Sequence, residues 1–380
     1  MLISHTLDAL LANAGTLAEA GRSKNLSVLQ NLLGPAFRGL VLRRGKLGAH
    51  AAVEAHHRAD FDLSYLRDRP ELSRLYEAAK NSQWIPDQVL DFKTAVDPYD
   101  PALPLIDETL LPLYAIPAYH QLPERTKRHQ QKEMLAWLLS QFLHGEQGAL
   151  FAACQVTESV GDLDSKLYGS TQVVDEGRHV EVFHRYLTTK LEKLYAINDN
   201  LYVIVDAIMG ESRWDLKFLG MQILIEGLAL GAFGTMRSAT EEPLLKNLLK
   251  YVITDEARHV HFGVLALAGY YQEALEEKAR REREDWAFEV SLLMRNRFLA
   301  HEFYEEHWAH KMKRREWDQL ILGSAFMERF RTTMFRRIVP NLRRIGLMTP
   351  RIQPYYRELG LIGYMNDRAA PELTAEDLLS

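Results

Sequence analysis

Two copies of one short pattern carry side chains that could do metal chemistry. The first copy reads Asp-Glu-Gly-Arg-His and ends at His179; the second reads Asp-Glu-Ala-Arg-His and ends at His259. In each copy a glutamate precedes the histidine by three residues, which places both side chains on one face of a helix. Glu176 with His179, and Glu256 with His259, could therefore each hold a metal ion through a carboxylate oxygen and an imidazole nitrogen.

A lone glutamate lies thirty residues upstream of each of these glutamates. Glu146 and Glu226 both stand in apolar helical stretches, where an unpaired carboxylate costs several kcal/mol in lost hydration. A metal ion would remove that cost; a structural ion pair with Arg178 or Arg258 is the alternative. Four carboxylates and two imidazoles are the ligand set of a metal pair inside a four-helix bundle. The candidate catalytic and metal-binding residues are therefore Glu146, Glu176, His179, Glu226, Glu256 and His259.

Two aspartates extend the pattern. Asp175 and Asp255 each lie four residues before a candidate ligand histidine, so they could accept a hydrogen bond from an imidazole and fix its tautomer. An exposed helix face is the alternative for these two residues. Two other Glu-x-x-His matches, Glu54/His57 and Glu181/His184, have no glutamate thirty residues upstream, and we predict that they lie at the surface.

The elements that must position these residues are long helices. Helical spacing predicts one helix from 124 to about 157 and, after a break at 161–162, a second one to about 194. The pattern returns as helices over 214–237 and 244–271. The corresponding ligands are eighty residues apart, so we predict an all-α fold whose core is two related hairpins packed about an approximate two-fold axis.

Outside this core, the sequence predicts further helices and connecting segments. Breaks in the N-terminal helical pattern are expected at Gly34-Pro35 and Gly45. A long helix is expected over 273–313, and another from Trp317 to about Val339, ended by Pro340. The predicted units are a helical N-terminal extension (1–83), a proline-rich strap (84–123), the bundle core (124–271), C-terminal helices (272–346) and a loosely packed or partner-binding tail (347–380).

Composition excludes several classes of function. The chain has 380 residues, of which 47% are apolar and 26% charged, and its net charge of −5 does not favour nucleic-acid binding. Cys154 is the one cysteine, which excludes an intramolecular disulfide, an iron-sulfur cluster and a cysteine-rich zinc site. We identify no secretion signal and no apolar run of the roughly 20 residues that a membrane span needs. These features predict a cytoplasmic protein with no membrane partner.

The paired motifs with their upstream glutamates resemble the ferritin-like di-iron carboxylate superfamily, in particular bacterial multicomponent monooxygenase hydroxylases and the ribonucleotide reductase small subunit. The resemblance covers roughly residues 84–270. It implies that Glu146, Glu176 and His179 bind one metal and that Glu226, Glu256 and His259 bind the other, with some carboxylates bridging. The implied cofactor is two iron ions, or a manganese/iron pair, that activates O2 to oxidise an organic substrate by hydroxylation, N-oxygenation or desaturation.

Three positions leave the subfamily open. Phe183 stands where the radical-forming reductase subunits usually have tyrosine, Leu230 where the monooxygenases usually have threonine, and Val252 where arylamine N-oxygenases have an extra histidine. The alternative functions are a radical-generating protein similar to the reductase subunit and a metal-handling ferroxidase. Five residues could wall an apolar pocket beside the metals or be plain core: Leu150, Phe151, Phe183, Leu230 and Phe233.

Turnover would need partners. The chain has neither a Gly-x-Gly-x-x-Gly signature nor a cysteine cluster, so an external electron donor, a reductase or a ferredoxin, is implied. The substrate could be a small molecule or a carrier-bound group, and a homodimer stays open. A basic stretch could dock an acidic partner or be only a solvated helix face; it contains Arg329, Arg331, Arg336, Arg337, Arg343 and Arg344.

Overall fold

The computed structural model describes residues 9–10, 13–16, 25–100, 102–374 and 377, and their regular structure is entirely helical. This confirms the predicted all-α class. Parts of the predicted N-terminal extension (1–8, 11–12 and 17–24) and of the tail (375–376 and 378–380) lie outside the described residues. The α-helices are α1 (Leu26–Ala36), α2 (Pro70–Asn81), α3 (Pro86–Val89), α4 (Pro117–His120), α5 (Glu124–Ser159), α6 (Leu163–Tyr186), α7 (Asp199–Gly210), α8 (Trp214–Phe218), α9 (Glu226–Ala239), α10 (Pro243–Gly269), α11 (Glu277–Asn296), α12 (His301–His307), α13 (Arg314–Leu322), α14 (Ala325–Arg344) and α15 (Gln353–Glu358).

Four helical rods form the core. Helices α5 and α6 pack side by side as one hairpin, and α9 and α10 pack as the other. Local signals set the turns: Asp162 caps α6 by accepting from the Ser165 N–H, and Glu242 caps α10 from the position before Pro243. The four-helix core of two hairpins that the spacing predicted is confirmed.

The third helical rod of the core, which runs over 214–239, is not a regular α-helix. Between α8 and α9 the chain forms a π-helical segment, Leu219–Ile225, that ends immediately before Glu226. A π segment places more residues in each turn and is often found at functional sites. The direction in which Glu226 points therefore depends on a local widening of the helix.

The same rod, Trp214–Ala239, is apolar and long enough to cross a membrane by length and composition alone. Of its most apolar window, 94% is buried inside the protein. The expectation of no such stretch was therefore too strict, but the burial is that of a bundle core helix.

Three predicted helix boundaries are wrong. Pro35 lies inside α1, and the helix continues into a π turn at Phe37–Val41. The long helix expected over 273–313 is interrupted after α11, because Ala300 adopts a left-handed backbone with φ 52°. The helix expected from Trp317 is broken at Gly323-Ser324, where Ser324 caps a new helix, and that helix continues past Pro340.

Segments outside the core pack closely on it. The stretch 84–123 has short helical turns, and its Trp84 is buried against the core. In the C-terminal stretch, Ile352 and Tyr356 are buried. This stretch also engages part of the predicted basic surface: Arg336 pairs with Asp367 at 3.0 Å, and Arg343 donates to Asn366 at 2.9 Å. Those two arginines contact the protein's own chain.

Lys217, fully buried in the third rod, ties it to α7. Its Nζ donates to the Gln155 side chain and to the carbonyls of Ile208 and Met209, at 3.0 and 2.9 Å. Burial lowers the pKa of Lys217 to about 8. Because methionine would leave these buried acceptors without a donor, we expect Lys217→Met to lower the free energy of unfolding by about 2 kcal/mol.

Urea unfolding followed by circular dichroism measures that loss. Lys250→Met, at an exposed position of α10, is the control and should change the unfolding free energy by less than about 0.5 kcal/mol. Equal stability of the two variants would contradict the expected role of Lys217.

Candidate metal centre

The structure brings the six predicted side chains together in the bundle core. Glu146 comes from α5, Glu176 and His179 from α6, Glu226 from the start of α9, and Glu256 and His259 from α10; none is more than 4% exposed. They form two groups that could each hold a metal ion, with the ligand atoms of a group within 4.8 Å of one another. The first group is Glu146, Glu176, His179 and Glu256, and the second is Glu176, Glu226, Glu256 and His259.

Glu176 and Glu256 belong to both groups. Each could therefore give one carboxylate oxygen to either position, which would make them the bridging ligands. The Oε2 atom of Glu176 and the Oε1 atom of Glu256 are buried and accept no hydrogen bond of good geometry from the described residues, although His179 Nδ1 lies 3.1 Å from the second of them. Buried carboxylate oxygens without donors fit a site for cations, because a bound cation would satisfy both.

The histidines present the same ring nitrogen to the glutamates. The Nδ1 atom of His179 lies 3.2 Å from Glu146 and 3.1 Å from Glu256. The Nδ1 atom of His259 lies 3.1 Å from both Glu176 and Glu256. Nδ1 is therefore the atom of each ring that could bind a metal, and Nε2 points away from the glutamates.

Each Nε2 faces the aspartate of the opposite motif. His179 Nε2 lies 3.2 Å from Asp255, and His259 Nε2 lies 3.3 Å from Asp175. An Nε2–H that donates to a carboxylate leaves Nδ1 with the lone pair that metal binding requires. The sequence predicted that each aspartate could accept a hydrogen bond from an imidazole. In the structure, each aspartate faces the imidazole of the other hairpin.

Residues from outside the motifs hold these aspartates. Trp84 Nε1 donates to Asp255 at 2.7 Å, and Gln83 Nε2 donates to Asp175 at 3.1 Å. Arg258 also donates to the carboxylate of Asp255, and the Arg178 guanidinium lies 5.0 Å from the centre of the Trp84 ring. Gln83 and Trp84 had no sequence signal, because they reach the site from a segment far away along the chain.

The crossed pairing makes a directional prediction. We expect Asp255→Asn to weaken metal binding about 10- to 100-fold at the position that uses His179, although Asp255 belongs to the other motif. An asparagine amide could donate to Nε2 and favour the tautomer with the proton on Nδ1. Titration with Co2+, followed by visible absorption, would show one of two binding steps weakened.

Asp175→Asn is the matched variant and should weaken the step that depends on His259. Because single His179→Ala and His259→Ala variants identify the two steps, each aspartate can be assigned to a histidine. Weakening of the step belonging to the aspartate's own motif would contradict the crossed arrangement.

Burial and mutual repulsion raise the pKa of two of the glutamates, whereas the imidazoles lower that of Glu176. Burial, with Glu256 adding repulsion, raises the pKa of Glu146 to about 8, and burial beside Glu176 and Glu256 also raises the pKa of Glu226. Burial would raise the pKa of Glu176 as well, but the two imidazoles hold it well below its usual range. Burial alone lowers the pKa of each histidine, yet the surrounding carboxylates hold both well above 6.5. Metal binding would replace these protons.

The two ends of the site differ in polarity. At one end the side-chain amides of Gln172 and Gln222 hydrogen-bond to each other, and Gln172 also donates to Glu176 at 3.0 Å. At the other end Phe142, Phe183 and Phe233 pack together, with the last two rings stacked 5.5 Å apart. The glutamines orient carboxylates, and the aromatic cluster makes the other end apolar.

The predicted pocket wall is partly wrong. Phe183, Leu230 and Phe233 are buried, as is Val252, whereas Phe151 is 52% exposed. Phe151 lies on the outer face of α5 and lines a surface cleft of about 950 Å³. Phe151 therefore neither walls the metal site nor belongs to the core.

The extra Glu-x-x-His matches lie outside the centre. Glu181 and His184 are exposed on α6, while Glu54 is exposed and His57 contacts Glu158 in a stretch without helical structure. A further acid–imidazole group is formed by Glu133, Glu306 and His307. There Lys193 already supplies a cation, 2.6 Å from Glu306 and 3.6 Å from Glu133.

No model of a known protein family matches this chain, and neither does any curated protein. Among solved structures, the chain is similar to two forms of an R2-like ligand-binding oxidase with an aerobically reconstituted Mn/Fe cofactor. One, a tyrosine-to-phenylalanine mutant, has 17% sequence identity and a TM-score of 0.46, covering 73% of this chain and 94% of that chain. The other, from a long soak, has 18% identity and a TM-score of 0.46, covering 73% and 97%.

The helix arrangement and the cluster of acids and imidazoles are this chain's own and do not depend on that likeness. Two of its helices each contribute one glutamate, and two each contribute Glu-x-x-His, all directed into a four-helix core. That is the ligand arrangement of the ferritin-like di-iron and di-manganese carboxylate proteins.

Proposed function

We propose that this chain is an O2-activating oxidase or oxygenase that holds two iron ions, or a manganese/iron pair, and oxidises an organic substrate. The observation that carries the proposal is the convergence of six buried ligand side chains in two groups that share Glu176 and Glu256. The R2-like oxidases with a Mn/Fe cofactor are similar proteins that make a mixed pair a reasonable alternative to two irons.

When bound, the metal pair supplies the electrons and the open coordination positions that O2 activation needs. The protein's residues provide the setting for that chemistry. Glu176 and Glu256 would contribute to holding both metals, and the crossed aspartates would keep each imidazole in its ligand tautomer. The cluster of Phe142, Phe183 and Phe233 excludes water from one side, which protects a strong oxidant from side reactions.

Oxidation of an organic substrate by hydroxylation, N-oxygenation or desaturation fits this setting better than radical export. The aromatic cluster next to the ligands is made of phenylalanine, and Phe183 has no phenolic oxygen to oxidise. An apolar, unreactive wall suits a site that turns its oxidant on a bound substrate. A ferroxidase would need no such wall.

The partners follow from the proposed chemistry. Reduction of the metals between turnovers calls for an external reductase or ferredoxin, and we propose a cytoplasmic location where such donors are found. The substrate is a small molecule or a carrier-bound group, and a homodimer is compatible with the described surface. The docking surface for the donor would be built on the exposed side chains of Arg329 and Arg344.

Anaerobic loading with ferrous iron followed by rapid mixing with O2 tests the function. We expect about two irons per chain, rapid O2 uptake and a transient optical band whose decay quickens with a suitable substrate. Glu226→Ala should lose the band, while Glu181→Ala, an exposed glutamate on α6, should keep it.

Other outcomes would replace the proposal. Failure of the native protein to bind two metals would refute it. Steady iron oxidation, with release of ferric iron and no effect of any organic substrate, would assign a ferroxidase. A long-lived protein radical detected by electron paramagnetic resonance would instead assign a radical-generating subunit.

A further inference from the structure

A buried arginine beside the metal centre has no role in the arrangement described above. Arg297 lies in the 3₁₀ turn between α11 and α12 and is 3% exposed. It lines a small void together with Glu146, Glu226, Phe142 and Phe233. The lining of the void therefore combines a cation, two candidate ligands and two aromatic rings.

The guanidinium of Arg297 has few partners. Its Nε is buried without a hydrogen-bond partner among the described residues, and its ring contact is with the neighbouring Phe298, 4.8 Å from the ring centre. Burial lowers the pKa of Arg297 to about 10, and Glu146 is the acid that opposes this effect. A buried cation without a hydrogen-bonded anion is costly, so the site calls for an acceptor beyond Glu146.

Charge balance points the same way. In the loaded centre, four glutamates balance two divalent metals, and the metal-bound imidazoles are neutral. Asp175 and Asp255 are balanced by Arg178 and Arg258, to which they are paired. The positive charge of Arg297 then has no acid to balance it. Glu146, the acid that stabilises the charged form of Arg297, would bind a metal instead. One monovalent anion would complete the balance.

We propose that Arg297 binds the carboxylate of a small organic acid, which makes the substrate of this centre an anion. A guanidinium donates two parallel hydrogen bonds to a carboxylate, a geometry that neither water nor a neutral amide can match. The rings of Phe142 and Phe233 would contact the apolar part of the acid. This inference rests on the proposed function, because it names the substrate class of the proposed metal centre.

The size of the void limits how much of the acid it can hold. Its volume of about 10 Å³ has room for about one water molecule, so at most the carboxylate group of the acid would occupy it. The rest of the acid would need the flanking side chains to move. A phosphate would be a poor fit, since it is larger and carries more than the single charge that Arg297 would balance.

Formate and formamide are suitable probes, because they have nearly the same size and differ in charge. Calorimetry on protein loaded anaerobically with ferrous iron should show formate binding more tightly than formamide by about 10-fold or more. Arg297→Gln should lose that preference. Arg295→Gln, which changes a half-buried arginine that does not line the void, should keep it.

Arg297→Lys keeps the charge and removes the fork of donors, so it should bind formate more weakly than the native protein and still prefer it to formamide. It also serves as the test if Arg297→Gln does not fold, as judged by circular dichroism. Formate binding that is unchanged in Arg297→Gln would overturn the proposal, because the anion would then be held by the metals alone. A folded Arg297→Lys without any preference would overturn it too.

This experiment can refute the metal centre and the anion site independently of each other. If the native protein binds two metals and formate binding ignores residue 297, the anion site is refuted and the metal centre stands. If it binds no metals but prefers formate through Arg297, the proposed function is refuted and the anion site stands.

Discussion

Glu176→Ala is expected to remove both metal ions, whereas Glu146→Ala is expected to weaken mainly one. The reason is that Glu176 belongs to both groups of candidate ligands, and Glu146 belongs to the first group alone. Loss of an outer-sphere partner costs about 10- to 100-fold in metal affinity, and loss of a shared ligand should exceed that at both positions. Metal content after dialysis against a weak chelator, measured by mass spectrometry, gives the result.

Glu181→Ala is the matched control for this comparison. Glu181 lies on α6 within an identical Glu-x-x-His spacing, yet it is exposed and outside both groups. The control should retain two metals per chain. Retention of one full equivalent by Glu176→Ala would show that this carboxylate serves a single position and does not bridge.

The metal-free protein is expected to lose stability as the pH rises from about 5 to about 8. The folded protein raises the pKa of Glu146 to about 8 and also raises that of Glu226, while both groups titrate near 4.5 once unfolded. In this window the folded state binds more protons than the unfolded state, so stability falls with rising pH. Each unit by which a pKa is raised costs about 1.4 kcal/mol once the group ionises.

Loading with metal should flatten that dependence, because bound cations favour the ionised carboxylates in the folded state. Urea unfolding of metal-free and zinc-loaded protein at pH 5, 6.5 and 8 measures the difference. Glu146→Gln should remove part of the decline in the metal-free protein, since glutamine does not ionise. Stability of the metal-free protein that rises with pH over this window would contradict the assigned directions.

Local patterns were sufficient for the two core hairpins and for the set of ligand residues that meet in the core. Helical periodicity, capping residues and breaks act over a few neighbours, so the hairpins α5–α6 and α9–α10 could be predicted from the chain alone. The Glu-x-x-His spacing and the isolated glutamates in apolar helices carry a physical cost that only a cation or a donor removes. That is why Glu146 and Glu226 could be singled out before any packing was known.

Backbone irregularities escaped this reasoning because packing overrides local preference. The π-helical segment before Glu226 contains Gly220 but no proline, and α14 continues through Pro340 although proline usually ends a helix. Ala300 takes a left-handed conformation that alanine rarely adopts, and this interrupts the helix predicted there. The interruption lies three residues after Arg297, whose burial beside the centre could not be expected from a continuous helix.

The sequence by itself determined the all-α class, the two hairpins and which acids and imidazoles share a helix face, since these depend on contacts one turn apart. Only the tertiary structure decided which partners meet across the bundle. It paired His179 with Asp255 and His259 with Asp175, brought Trp84 to Asp255, and placed Arg297 at the void beside Glu146. Those contacts depend on the relative shift and rotation of packed helices, which spacing along one helix does not specify.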